Sequence, residues 1–109
     1  GVYTAEPYKS ELLPLFKFSS PRESKRSAER IYEKFIRYRD ESDFVGMDMA
    51  RKYLQLGYNI TSRFSKYASG KRDNKRGTGD RDMRISKKFF KSALKQVLKD
   101  PEYADYLGL

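Results

Sequence analysis

Apolar side chains recur at spacings of three and four in three separate runs of this chain, with polar punctuation between them. No other feature constrains the fold as tightly. Each run puts one apolar stripe on a helix, and the stripes must bury one another. The first run is SSPRESKRSAERIYEKFIRYRD. Ser20 stands at the N-cap, Pro21 takes the first helical position and Glu23 completes a Ser-x-x-Glu capping box. Ala28, Ile31, Tyr32, Phe35 and Ile36 then share a face, and Glu33 precedes Arg37 by four residues in the favourable order. The spacing predicts a helix over about 21–40.

The second run, DFVGMDMARKYLQLGYNITSRFSKYAS, opens on Asp43 as a cap. Phe44, Met47, Ala50 or Met49, Tyr53 and Leu54 carry the stripe, and Ile60, Phe64 and Tyr67 extend it. Gly57 and Asn59 each weaken a helix by up to about 1 kcal/mol. The expectation is one helix over 43–68 with a bend near Gly57, the alternative being two halves. Gly46, in the first turn, reads as a point of close helix packing rather than a break. The third run starts near Asp82, read as the cap, and carries Ser86, Phe89, Phe90, Ala93, Leu94, Val97 and Leu98 on a helix over 82–99. Asp100-Pro101 restarts the chain as cap and first-position proline, giving a short helix over 101–107.

Ahead of these runs lies GVYTAEPYKSELLPLFKF. Its strand-favouring start and its prolines predict an extended arm, with one helical turn near Ser10–Leu13. Leu12, Leu13, Leu15, Phe16 and Phe18 are too apolar to stay in water, so the arm must dock on the helices, the second above all. The expected fold is mainly α: three main helices, a short C-terminal helix and an extended N-terminal arm, as a single domain over 1–109.

Several chemistries are excluded outright. The chain has no cysteine and no histidine, so disulfides, thiol catalysis, histidine bases and most zinc sites are impossible. No apolar run approaches the roughly 18 residues of a membrane span. The expected compartment is a reducing cytoplasm, with no membrane partner and no cofactor.

The formal charge is +9, and its placement matters more than its size. Between Arg63 and Lys99 stand thirteen Lys or Arg and three acids, a net of +10, which leaves −1 for everything else. A field held by one segment suggests a polyanionic partner. Within it, Lys87, Lys91, Lys95 and Lys99 repeat every four residues, with Arg84 and Lys88 beside them. Like charges at that spacing repel by some tenths of a kcal/mol per pair. The segment GKRDNKRGTGDR adds Lys71, Arg72, Lys75, Arg76 and Arg81 on a loop over 69–81, with no apolar anchor and three glycines. It is expected to be the most mobile internal stretch, and its guanidinium forks suit phosphate. It lacks the spacing of a nucleotide-cradling loop. Lys71, Arg72, Lys75, Arg76, Arg81, Arg84, Lys88, Lys91 and Lys95 are therefore the candidate contacts for DNA or RNA, bound without sequence preference. The bland alternative is a solvated lysine face whose stems shield apolar edges.

Three stretches, EPYKSELLP, DFVGMDMARKYLQLGY and DPEYADYL, resemble a domain family of unknown function found in short proteins of bacteria, some fungi and marine cyanobacterial viruses. The resemblance spans nearly the whole chain, and the lysine- and tyrosine-rich composition looks most like a viral, cyanophage member. It implies no activity and no catalytic residue. It implies that the chain is the core of a longer protein, since members carry a further segment ahead of EPYKSE. It singles out Glu6, Lys9, Ser10, Glu11, Asp43, Gly46, Asp48, Arg51 and Lys52 as motif positions of unknown role.

Three functions fit these observations. The first is a small accessory protein that binds nucleic acid through residues 63–99. The second is an interaction module that docks on a host or viral protein. The third is a divalent-metal-assisted enzyme built on Glu6, Glu11, Asp43 or Asp48, for which the sequence offers no spaced acidic motif.

Overall fold

The computed structural model describes residues 2–67 and 80–108. Among them the chain runs through a 3-10 turn at Val2–Thr4, α1 at Tyr8–Leu12, a second 3-10 turn at Leu13–Leu15, then α2 at Pro21–Asp40, α3 at Phe44–Lys66, α4 at Arg81–Lys99 and α5 at Pro101–Leu107. α2, α3 and α4 form an up-down-up bundle. Their stripes meet in one core that includes Ile31, Phe35, Met47, Ala50, Leu54, Phe90 and Val97.

Local chemistry sets each helix end. Ser20 Oγ accepts from the Glu23 N–H at 3.1 Å, as its cap position predicts, while the Glu23 carboxylate accepts from the Ser19 hydroxyl. At the far end of α2 the Asp43 N–H donates to the Tyr38 carbonyl and the Ser42 N–H to the Arg39 carbonyl, at 2.8 and 2.9 Å. With Ser42 at φ 55°, this is a Schellman turn made without glycine. It delivers Asp43 directly to the start of α3, where Asp43 Oδ1 accepts from the Gly46 N–H at 2.9 Å.

α3 then runs unbroken through Gly57 and Asn59 to Lys66 and ends at Tyr67, an extended C-cap, one residue short of the expected 68, which lies outside the described residues. Gly57 is needed for space, because a Cβ there would lie 2.6 Å from the Phe90 ring of α4. The cap of α4 is Asp80 rather than Asp82. Asp80 Oδ1 accepts from the Asp82 and Met83 N–H groups at 2.6 and 3.3 Å, and Asp82 lies in the first turn, where its charge suits the helix dipole.

The arm departs from its expected form. Instead of extending, it coils into two 3-10 turns around α1, with the Lys9 N–H on the Ala5 carbonyl at 2.9 Å. A lone strand would leave its backbone groups unpaired, whereas coiling satisfies them locally. It does dock. Leu12 is fully buried, Phe16 packs edge-on to Tyr53 at 5.6 Å, and Tyr53 Oη donates to the Tyr3 carbonyl at 3.1 Å.

The core is graded along its axis. Aromatic rings fill the middle and the α5 end, whereas Ser24, Ser27, Thr61, Ser65 and Ser86 fill the end where α3 stops and α4 starts. Among the described residues, Ser24 Oγ and Ser86 Oγ are buried and have no hydrogen-bond partner.

α5 closes the other end. Asp100 Oδ1 caps it through the Glu102 and Tyr103 N–H groups at 3.0 and 3.1 Å, and Asp100 Oδ2 meets Arg39 Nη1 at 2.8 Å. Burial alone would raise the Asp100 carboxyl; the Arg39 hydrogen bond and the capped N–H groups outweigh it and hold the carboxyl below its ordinary value.

Two outcomes are expected from this packing. Gly57→Ala gains about 1 kcal/mol of helix propensity but forces a methyl into a fully buried ring, at about 1–3 kcal/mol. The net effect is a destabilisation of up to about 2 kcal/mol in urea unfolding, and a stabilised variant would show that Phe90 can give way. Asp100→Asn keeps a capping oxygen and loses the ion pair, so it should be less stable at neutral pH. A depressed carboxyl contributes stability that is present above the unfolded-state pKa and is lost as pH falls through the folded one. The gap between wild type and variant should therefore close as pH drops below about 4; a gap that stays constant from pH 7 to pH 2.5, roughly the range spanning carboxylate titration, would rule out the ion pair as its source.

Candidate polyanion-binding surface

The helical step places Arg81, Arg84, Lys87, Lys88, Lys91, Lys95 and Lys99 along one flank of α4, with Phe90, Leu94 and Val97 turned to the core. Of these basic residues all but Lys87 are exposed. The opposite flank carries Phe89 and Gln96, which line a cleft with Lys25, Glu29 and Tyr32 of α2. The basic flank thus looks away from α2. Between Met83 and Lys99 there are six basic residues and no acid, and among the described residues no ion pair engages Lys88, Lys91 or Lys95. Lys71, Arg72, Lys75 and Arg76, with the expected mobility of their loop, lie outside the described residues.

A second basic feature is not apparent from the sequence. Under the arm, two adjoining hollows share Leu15 and Arg30. One, of about 220 Å³, is walled by Lys17, Arg26 and Arg30, and the other, of about 350 Å³, by Arg30, Lys34 and Arg37. The spacing of Arg26, Arg30, Lys34 and Arg37 by four and three along α2 was legible, but Glu23, Glu29 and Glu33 interleave with them and offset much of their charge. Glu23 and Glu33 also line the hollows, so this groove is mixed in sign where the α4 flank is not.

The motif positions converge on architecture. Tyr8 Oη donates to both Asp43 oxygens at 2.9 Å, tying α1 to the start of α3. Tyr38 Oη donates to Glu11 Oε1 at 2.5 Å, and Lys34 Nζ reaches the same oxygen at 3.7 Å. The Tyr8 and Tyr38 rings meet edge to face at 5.6 Å, and a Cβ on Gly46 would lie 2.6 Å from the Tyr38 ring. Gly46 is the close-packing point that the sequence predicts. Glu6 accepts from the Ser10 N–H at 3.3 Å and steadies α1, while Lys9 is half-buried beside it.

Asp48, Arg51 and Lys52 form a second knot around Tyr103. Tyr103 Oη donates to Asp48 Oδ1 at 2.6 Å and accepts from Arg51 Nε at 3.0 Å, and Lys52 Nζ meets Asp48 Oδ2 at 2.8 Å. Burial would raise the Asp48 carboxyl, but the hydrogen bonds from Lys52 and Tyr103 and the charges of Lys52 and Arg51 hold it below its ordinary value. Burial first, then the bond to Asp48, pushes the Tyr103 phenol up to about 12. Tyr8 and Tyr38 are raised for the same reasons, burial and then their carboxylate partners. These phenols stay protonated at neutral pH and serve as donors, not as bases or nucleophiles. Among the described residues no three carboxylates gather as a metal-ligand group. Glu11, Asp43 and Asp48 each face a tyrosine instead. No helix among the described residues is long and apolar enough to cross a membrane.

No curated protein and no solved structure shows significant similarity to the chain. A family model matches residues 1–107, which takes in the arm, both tyrosine–carboxylate knots and the basic flank: the chain belongs to the family described as a domain of unknown function, DUF4385.

Proposed function

We propose that the protein binds nucleic acid without sequence preference, through the basic flank of α4. One observation carries this reading: six basic residues and no acid between Met83 and Lys99, set along one side of a rigid helix, all but Lys87 of them exposed. A helix that needed only solubility could mix in glutamates, as α2 does. A one-sign stripe instead costs self-repulsion at each i,i+4 pair, and a phosphate backbone relieves that cost while counterions are released. Nothing on the flank resembles a base-reading device, since lysines act as point charges on phosphate. The viral likeness of the composition makes the protein, in this reading, an accessory factor working in the cytoplasm of a host cell.

Binding of labelled DNA and RNA of unrelated sequence, measured over a range of salt, tests this. Changing Lys88, Lys91 and Lys95 together to Gln should lower the salt slope of log affinity by about 0.7–0.9 for each phosphate that the variant no longer neutralises. Affinity near 50 mM salt should fall by at least about tenfold. Stability should hold or rise slightly, because the substitutions relieve repulsion and touch no core residue. Arg26→Gln with Arg30→Gln, on the α2 groove, should leave the slope nearly unchanged. Wild-type protein that binds neither DNA nor RNA at low salt, or a triple variant that binds as well as wild type, would overturn the proposal.

A further inference from the structure

At the end of the molecule where α3 begins and α5 stops, large apolar side chains face water. Phe44, Val45, Tyr106 and Leu107 are 37, 55, 47 and 40 % exposed. The Phe44 and Tyr106 rings stack with centroids 5.1 Å apart and planes within 3° of parallel. Tyr106 also stacks on the buried Tyr103 at 6.2 Å, so the exposed pair is anchored to the core. Acids surround it: Asp40, Glu41, Glu102 and Asp105 are all exposed. Residues 40–45 and 102–107 contain no Lys or Arg, and the neighbouring Arg39 is engaged by Asp100 and Asp40. On a protein of net charge +9, this end has the opposite sign.

An apolar surface with a predominantly acidic rim marks a docking site, and its occupant must bring cations together with an apolar group. The chain itself carries that combination. Lys91, Lys95, Leu98 and Lys99 are exposed on the last turns of α4 at spacings of four, three and one, with Leu98 46 % exposed. Lys99, Asp100, Pro101 and Glu102 are consecutive, so the basic and acidic halves abut. Adjoining halves of opposite charge, each with exposed apolar side chains, make a self-complementary surface. A two-fold axis through the junction would lay each half of one copy on the opposite half of the other, as an isologous interface requires.

We propose that the protein pairs with a second copy of itself through this surface, Leu98 of one copy meeting the Phe44–Tyr106 stack of the other, with Lys91 and Lys95 facing Glu41 and Asp105. The pairing does not depend on nucleic-acid binding, but it uses two of the same lysines. Dimer and nucleic-acid complex therefore compete.

Sedimentation velocity over a range of protein concentrations reads the pairing directly. Wild type should associate in a concentration-dependent way at low salt, and high salt should weaken it. Two variants reverse one half each: Glu41→Lys with Asp105→Lys, and Lys91→Glu with Lys95→Glu. The first pair falls at helix C-terminal ends, where a cation suits the dipole, so the helical circular-dichroism spectrum should persist. Each variant alone should self-associate at least about tenfold more weakly, and an equimolar mixture of the two should pair again. Wild type that is monomeric at every concentration overturns the proposal, as does either variant pairing like wild type, or a mixture that fails to pair. Monomeric wild type that instead binds a lysine- and leucine-rich peptide would assign the surface to another protein and would equally overturn pairing with a second copy.

Discussion

Asp43 makes hydrogen bonds, accepted by its carboxylate and donated by its N–H, that join three parts of the molecule. Its carboxylate takes the Gly46 N–H and so starts α3, and it takes the Tyr8 hydroxyl and so holds α1. Its own N–H closes the turn that ends α2. A carboxylate in this position suits the positive end of α3 as well as the phenol, so the same charge serves helix capping and tertiary docking. With α1 held there, Tyr38 can reach Glu11, and Gly46 lets the Tyr38 ring lie against the α3 backbone. The arm, the α2–α3 turn and the register of the two longest helices all rest on this junction. Residues of the EPYKSE and DFVGMD stretches thus meet at this junction, though they lie far apart in sequence.

The helices were legible because their signals are local. A cap, a first-position proline and a stripe of period three to four can be read within twenty residues or so. The shift of the α4 cap from Asp82 to Asp80 is a limit of the same method, since two aspartates two residues apart compete and only backbone geometry decides between them. Gly57 read as a weak point because propensity is all that sequence reveals of a glycine; the ring it accommodates belongs to Phe90 on another helix. The coil of the arm was hidden for a similar reason, its form being set by partners far along the chain. So were the tyrosine–carboxylate pairs, whose members lie 27, 35 and 55 residues apart. Of the two basic surfaces, the periodic one on α4 was plain. The groove under the arm was not, because glutamates mask the arginines of α2 and because its other wall, at Pro14, Leu15 and Lys17, comes from a different part of the chain.

Charge on this protein is sorted by place rather than averaged. The flank of α4 is of one sign, the groove on α2 is mixed, and the end built by α5 and the α2–α3 turn is acidic. Sorting of this kind sets up a field that would steer any polyanion toward α4 and away from the acidic end.

The grading of the core from rings to hydroxyls gives the bundle a hard end and a soft end. Where Phe35, Tyr53, Phe90 and Tyr103 interlock, opening must expose large apolar surface. Where Ser24, Ser27, Thr61, Ser65 and Ser86 meet there is little such surface to expose, and two buried hydroxyls would gain hydration partners on opening. Breathing of the fold therefore begins at the hydroxyl end and stops at the rings. That end is also where α3 stops and α4 starts, joined there by the Asp80 N–H donating to the Phe64 carbonyl at 2.9 Å.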